Sequence, residues 1–97
     1  MNTEMQLAEI EYILDVLSGS SISEVKTTLE NAKENIVNEN DLYSRCVQLA
    51  LSTVNADLRK NELHWEKYTN AFSLLKFYMR QGNMQEKVFE DFRIFIS

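Results

Sequence analysis

The feature that most constrains this chain is its shortage of helix breakers, because it has no proline and only two glycines, Gly19 and Gly82. Sheets and irregular folds need turn residues at short intervals, so this shortage is typical of helical proteins. One uninterrupted helix between the two glycines would be a rod of roughly 90 Å. The chain must therefore turn inside that stretch at weaker signals, such as the polar run from Asn38 to Asp41.

Hydrophobic residues recur every three or four positions along the whole chain, which predicts amphipathic helices. We expect an all-α fold, a compact bundle of four to five helices with roughly antiparallel neighbours, forming one domain over residues 1–97. The number is four if the third and fourth helices continue through the weak break at Lys60-Asn61-Glu62. The expected helices run from about Thr3 to Leu17, Ser21 to Ile36, Leu42 to Leu58, Leu63 to Gln81, and Asn83 to the C-terminus.

Polar residues and glycines at the helix ends predict where the helices begin and stop. Thr3 is the expected N-cap of the first helix, and Gly19 suits the left-handed position after its last turn. Ser21 and Glu24 fit a capping box at the start of the second helix. Gly82 is the expected C-cap of the fourth helix.

The third helix carries two apolar stripes, which begin at Leu42 and Val47, and this pattern predicts burial on more than one side. We therefore expect this helix to be the hub of the core. The predicted core consists of Leu7, Ile10, Leu14, Val25, Leu29, Ile36, Leu49, Val54, Phe72, Leu75 and Phe92.

Negative charge is concentrated in the first two predicted helices. The chain has a net charge of −5, and residues 1–40 hold eight acidic and two basic side chains. Proteins that bind nucleic acid directly rely on cationic contacts with phosphates, so this balance argues against that function. We expect a partner protein instead, one that presents a basic surface.

The chain lacks the residues that most kinds of catalytic site require. With one histidine and one cysteine, the chain lacks donors for a zinc site of nitrogen and sulfur ligands, and two glycines do not make a phosphate-binding loop. We expect no metal and no cofactor, and Cys46 as a small buried apolar residue. No secretory leader or membrane-length apolar run is apparent, so we expect a cytoplasmic protein without membrane contact.

One short motif resembles a known family. Arg59 and His64 form an R-x-x-x-x-H pattern, which is similar to the motif of the HEPN ribonuclease superfamily, whose members are small helical bundles and often dimers. The resemblance covers six residues, or ten with Tyr68, which matches a tyrosine in some members. It implies that Arg59 stabilises phosphate charge and that His64 transfers a proton during metal-independent RNA cleavage. Lys60 departs from the small polar residue that is usual there.

The favoured function is a non-enzymatic protein-binding module, of the inhibitor, immunity, chaperone or adaptor type found in phages and mobile elements. It would act by stoichiometric contact. The alternatives are the ribonuclease and an oligomerising structural protein, such as a homodimer, with aromatic residues at its seam. The candidate contact residues are the acids Glu4, Glu9, Glu11, Asp15, Glu30 and Glu34 and the aromatics Tyr43, Phe77, Tyr78, Phe89 and Phe95.

Overall fold

The structure is a computed structural model that describes residues 2–62 and 64–97. Five α-helices account for most of these residues, which confirms the predicted all-α bundle. The helices are α1 (Thr3–Gly19), α2 (Ile22–Glu34), α3 (Leu42–Lys60), α4 (Trp65–Arg80) and α5 (Glu86–Ile96). The expected start of the fourth helix at Leu63 lies outside the described residues, and the helix runs from Trp65.

The helix ends correct two of the predicted signals. Asn2, not Thr3, caps α1, because its side chain accepts a hydrogen bond from the backbone amide of Met5 at 2.9 Å. Gly19 is the last residue of α1 and does not adopt the predicted left-handed conformation, since the chain leaves the helix through an extended Ser20. Ser21 caps α2 through the amide of Glu24 as predicted.

The break between α3 and α4 settles the number of helices at five. Asn61 has a φ of 57° and Gly82 a φ of 67°, so each turns left-handed after a helix. Asparagine tolerates this conformation better than other residues with a side chain, which explains why α3 stops there without a glycine. The C-cap of α4 is Gln81 and not the predicted Gly82, which follows it and makes the left-handed turn.

The helices close into a ring. Among the described residues the closest backbone approaches join α1 to α2, α2 to α3, α3 to α5, α5 to α4, and α4 back to α1. The third helix is one member of this ring and supplies the most buried side chains, as its two apolar stripes predicted. At the centre, the rings of Phe72 and Phe92 meet edge to face with centroids 5.2 Å apart.

Seven of the eleven predicted core residues are buried, and Leu7, Leu14, Ile36 and Leu49 pack against the core from partly exposed positions. The main error concerns the third helix. Its buried stripe runs through Tyr43, Val47, Ala50 and Val54, so Tyr43 is 1% exposed and the prediction that it lies at the surface is wrong. Burial of a tyrosine requires a hydrogen-bond partner for its hydroxyl, and Glu9 on α1 supplies one.

Candidate functional site

Five of the six acidic candidates lie exposed on two adjacent helices. Glu4, Glu11 and Asp15 are exposed on α1 and lie seven and four positions apart, which places them on one side of the helix. Glu30 and Glu34 are exposed on α2, also four positions apart. α1 packs against α2, but the two groups lean to different neighbours, since Glu30 and Glu34 line an open groove with Leu51 of α3, whereas Glu11 contacts α4.

Glu9 is the exception, because its side chain is half-buried and its carboxylate accepts hydrogen bonds from two other parts of the fold. The buried Tyr43 hydroxyl on α3 donates to one oxygen of Glu9, and the Asn35 side-chain amide donates to the other at 3.2 Å. Burial, reinforced by the neighbouring Glu9 carboxylate, raises the pKa of Tyr43 well above its usual range, so the phenol stays a neutral donor. Glu9 therefore joins α1 to α3 and is occupied in the folded protein.

Glu11 is exposed, but its charge is neutralised by α4. The Nη2 atom of Arg80 lies 2.7 Å from Glu11 Oε1, and Lys76 Nζ lies 3.4 Å from the same oxygen. The remaining four acids, Glu4, Asp15, Glu30 and Glu34, form no ion pair within the described part of the chain. We call these four the acidic face.

Two exposed apolar side chains accompany the acidic face. Tyr12 is 61% and Met5 55% exposed, and they lie seven positions apart on α1. At 100° per residue, both side chains project from the part of the α1 circumference that lies between Asp15 and Glu9. Sequence reasoning missed them, although their position outside the stripe of Leu7, Ile10, Leu14 and Leu17 was a usable signal.

The aromatic candidates do not form one cluster. Phe77 is 54% exposed and meets the half-buried Tyr78 edge to face, with ring centroids 5.5 Å apart. Phe89 is half-buried beneath Arg45, whose guanidinium carbon lies 4.2 Å from the ring centroid. Phe95 is 45% exposed at the end of α5.

The exposed apolar area on α4 and α5 can be compared with that of a dimer seam. Phe77, Ile94 and Phe95 are 54%, 65% and 45% exposed. Together they offer roughly 300 Å² if a large side chain buries about 150–250 Å². A stable interface buries about 800 Å² per partner, over half of it apolar. These three side chains alone fall short of a permanent homodimer seam.

The ribonuclease-like residues flank the turn between α3 and α4. Arg59 is exposed in the last turn of α3, and His64 is exposed just before α4, with the left-handed Asn61 between them. Tyr68 is fully buried, and its hydroxyl donates to Asp57 Oδ2 at 2.6 Å. Tyr68 therefore serves the core and is out of reach of a substrate, which leaves only two of the three matched residues at the surface.

The described residues contain neither a cluster of metal ligands nor an activated thiol. No group of three histidine, cysteine, aspartate or glutamate side chains comes together there as a metal site. Burial raises the pKa of the Cys46 thiol to about 12, so it stays protonated at neutral pH. None of the described helices combines the length and apolarity needed to cross a membrane.

Comparison of the chain with protein-family models, with curated proteins and with solved structures finds no match.

Proposed function

We propose that the protein is a binding module that contacts a basic surface of a partner protein in a stoichiometric complex, through the acidic face. The observation that carries the proposal is the exposed Tyr12, at 61%, one helical turn from Asp15, a carboxylate without a counter-ion in the described structure. A tyrosine with an exposed ring and hydroxyl is the kind of residue that dominates binding energy at interfaces. The surrounding charge steers the encounter and selects a cationic partner.

The two components of this surface have separate tasks. Asp15 and Glu34 sit at the ends of α1 and α2 and project charge into solvent, so they act chiefly on the association rate and on its salt dependence. Tyr12 offers contact area at low entropic cost and acts chiefly on the dissociation rate. An inhibitor, an immunity protein, a chaperone or an adaptor can use such a surface, and each acts without turnover.

The test is affinity capture from an extract of the source cell at about 50 mM and 300 mM salt, with quantitative mass spectrometry. We expect the variant Asp15→Lys/Glu34→Lys to lose the captured partner at low salt. The expected weakening is tenfold or more, because repulsion replaces attraction at two positions. Tyr12→Ala is expected to cost about 1–2 kcal/mol at both salt concentrations, since burial of a ring is not screened.

The matched control is Glu62→Lys/Glu66→Lys, which makes the same change in net charge at exposed positions around the turn before α4. This variant is expected to capture the partner as well as the wild type does. Equal losses from both double variants would show that the interaction depends on net charge alone, and would refute a specific acidic face. Capture that does not change between the two salt concentrations would also contradict the proposal.

A further inference from the structure

A second surface of opposite character lies where α1 packs against α4. An open groove of about 460 Å³ is lined by Leu14 of α1 and by Ser73, Lys76, Phe77, Arg80 and Gln81 of α4. Its volume lies in the range of small-molecule sites, but such sites bury most of their ligand, and this groove is open to solvent. Its shape suits a segment of another chain.

The rim of the groove carries an excess of positive charge. Lys76 and Arg80 share a single carboxylate, Glu11, and both approach the same oxygen of it. The Arg80 side chain is 58% exposed, and within the described residues its only hydrogen bond runs from Nη2. Its Nη1 and Nε donors thus have no protein acceptor there, and the planar guanidinium suits a second carboxylate.

The groove also contains an apolar anchor. Phe77 is 54% exposed, and its ring is held edge to face against Tyr78 with centroids 5.5 Å apart. An aromatic ring that is already positioned loses little conformational freedom when a partner covers it. Together with Leu14 it provides an apolar patch directly beside the free donors of Arg80.

We propose that the groove between α1 and α4 binds a segment of a partner protein in which an acidic side chain lies close to a large apolar one. The carboxylate pairs with Arg80 and Lys76, and the apolar side chain packs against Leu14 and Phe77. The acidic face recognises cations, whereas this groove recognises an acidic segment. The two proposals are therefore independent, and together they describe a molecule that contacts two partner surfaces of opposite charge.

The probe is a set of alanine-based helical peptides that carry one Phe and one Glu four residues apart. Binding to the full chain is followed by backbone amide shifts in NMR titrations. We expect saturable shifts at Leu14, Ser73, Phe77 and Gln81. Replacing the peptide Glu by Gln is expected to weaken binding about two- to fivefold, since a solvent-exposed ion pair contributes modestly. Replacing it by Lys is expected to weaken binding further.

The protein variants have matched controls elsewhere on the surface. Arg80→Ala should weaken peptide binding, whereas Arg93→Ala should not, although Arg93 is similarly exposed and also pairs with a carboxylate, Glu90. Phe77→Ser should abolish the shifts, whereas Phe95→Ser should leave them. Circular dichroism spectra show whether each variant keeps its helices.

Three outcomes would overturn the proposal. The first is the absence of shifts at the groove at millimolar peptide, and the second is equal binding of the Glu and Lys peptides. The third is a set of shifts at the groove that depends on protein concentration without peptide, which would assign the groove to a second copy of this chain. Loss of partner capture by Asp15→Lys/Glu34→Lys tests the acidic face, whereas the peptide shifts of the wild type test the groove, so the failure of one proposal is distinguishable from the failure of the other.

Discussion

Two buried tyrosines form hydrogen bonds at opposite ends of α3, and each pairs its hydroxyl with a carboxylate of another helix in a different way. Tyr43 on α3 donates to Glu9 on α1, and Tyr68 on α4 donates to Asp57 on α3. Each joins two helices that are not neighbours in the ring of closest backbone approaches. The partners differ, because Asp57 also holds the Lys67 ammonium 2.9 Å away, whereas Glu9 receives its second contact from the neutral amide of Asn35.

The difference follows from how far each carboxylate is buried. Asp57, with a side chain 13% exposed, needs a cation because a buried charge is costly without one. Glu9 is partly exposed, so water shares the work of solvating it. Both carboxylates therefore have partners within the fold, and the Tyr68 hydroxyl is likewise used in its bond to Asp57. Among the candidate contact residues, the acids that remain for binding are the four of the acidic face.

The largest expected effect on the free energy of unfolding comes from removing either tyrosine ring, and it tests whether the two rings contribute equally to the core. Tyr43→Ala and Tyr68→Ala should each lower the free energy of unfolding by about 3–5 kcal/mol, since each removes a fully buried ring. Urea denaturation at 10 °C followed by circular dichroism measures this loss. Phe77→Ala removes an exposed ring and should cost roughly 0.5 kcal/mol or less. Similar losses for all three variants would contradict the assigned burial.

Sequence spacing predicted the helices well because hydrophobic periodicity is local, and a stripe at intervals of three and four positions reports its own burial. It failed at Tyr43, where two apolar stripes one residue apart made the phase of α3 ambiguous. The candidate site was predicted only in outline. Glu4, Glu9 and Glu11 look alike in sequence, and their fates depend on partners such as Tyr43 and Arg80, which lie 34 and 69 positions away from Glu9 and Glu11.

A smaller loss of stability is expected when the second partner of each carboxylate is removed, Lys67 from Asp57 or Asn35 from Glu9. Lys67→Met keeps the aliphatic stem but removes the cation, which leaves Asp57 with Tyr68 alone. We expect a loss of about 1–3 kcal/mol in the free energy of unfolding. Asn35→Ala removes an exposed hydrogen bond from Glu9 and should cost less than about 0.5 kcal/mol. Both values come from urea denaturation at pH 7.

The double variant Asp57→Asn/Lys67→Met provides the control for this comparison. It removes the carboxylate together with its cation, so no unpaired charge remains buried, and it should recover part of the loss caused by Lys67→Met. Equal losses for Lys67→Met and Asn35→Ala would show that the cation is not what distinguishes the two sites.

The smallest effect is a difference in acid stability. Burial alone would raise the pKa of Asp57, but hydrogen bonds from Tyr68 and Lys67 outweigh it and hold the pKa below its ordinary value of 3.8. A carboxyl group with a lowered pKa in the folded state stabilises the fold above its unfolded pKa. That contribution disappears as the pH falls through 3.8 and below. Wild type should therefore lose stability more steeply than Asp57→Asn between pH 5 and the acid limit.

Urea denaturation at half-unit pH intervals measures the two slopes. Glu86, whose pKa is lowered by its hydrogen bonds with Arg45, contributes in the same direction but is present in both proteins, so it cancels in the difference. Glu9→Gln provides the matched variant at the other tyrosine, where no cation holds the carboxylate. Parallel curves for wild type and Asp57→Asn would mean that Asp57 gains nothing from its partners on folding. The two tyrosine sites would then differ only in geometry.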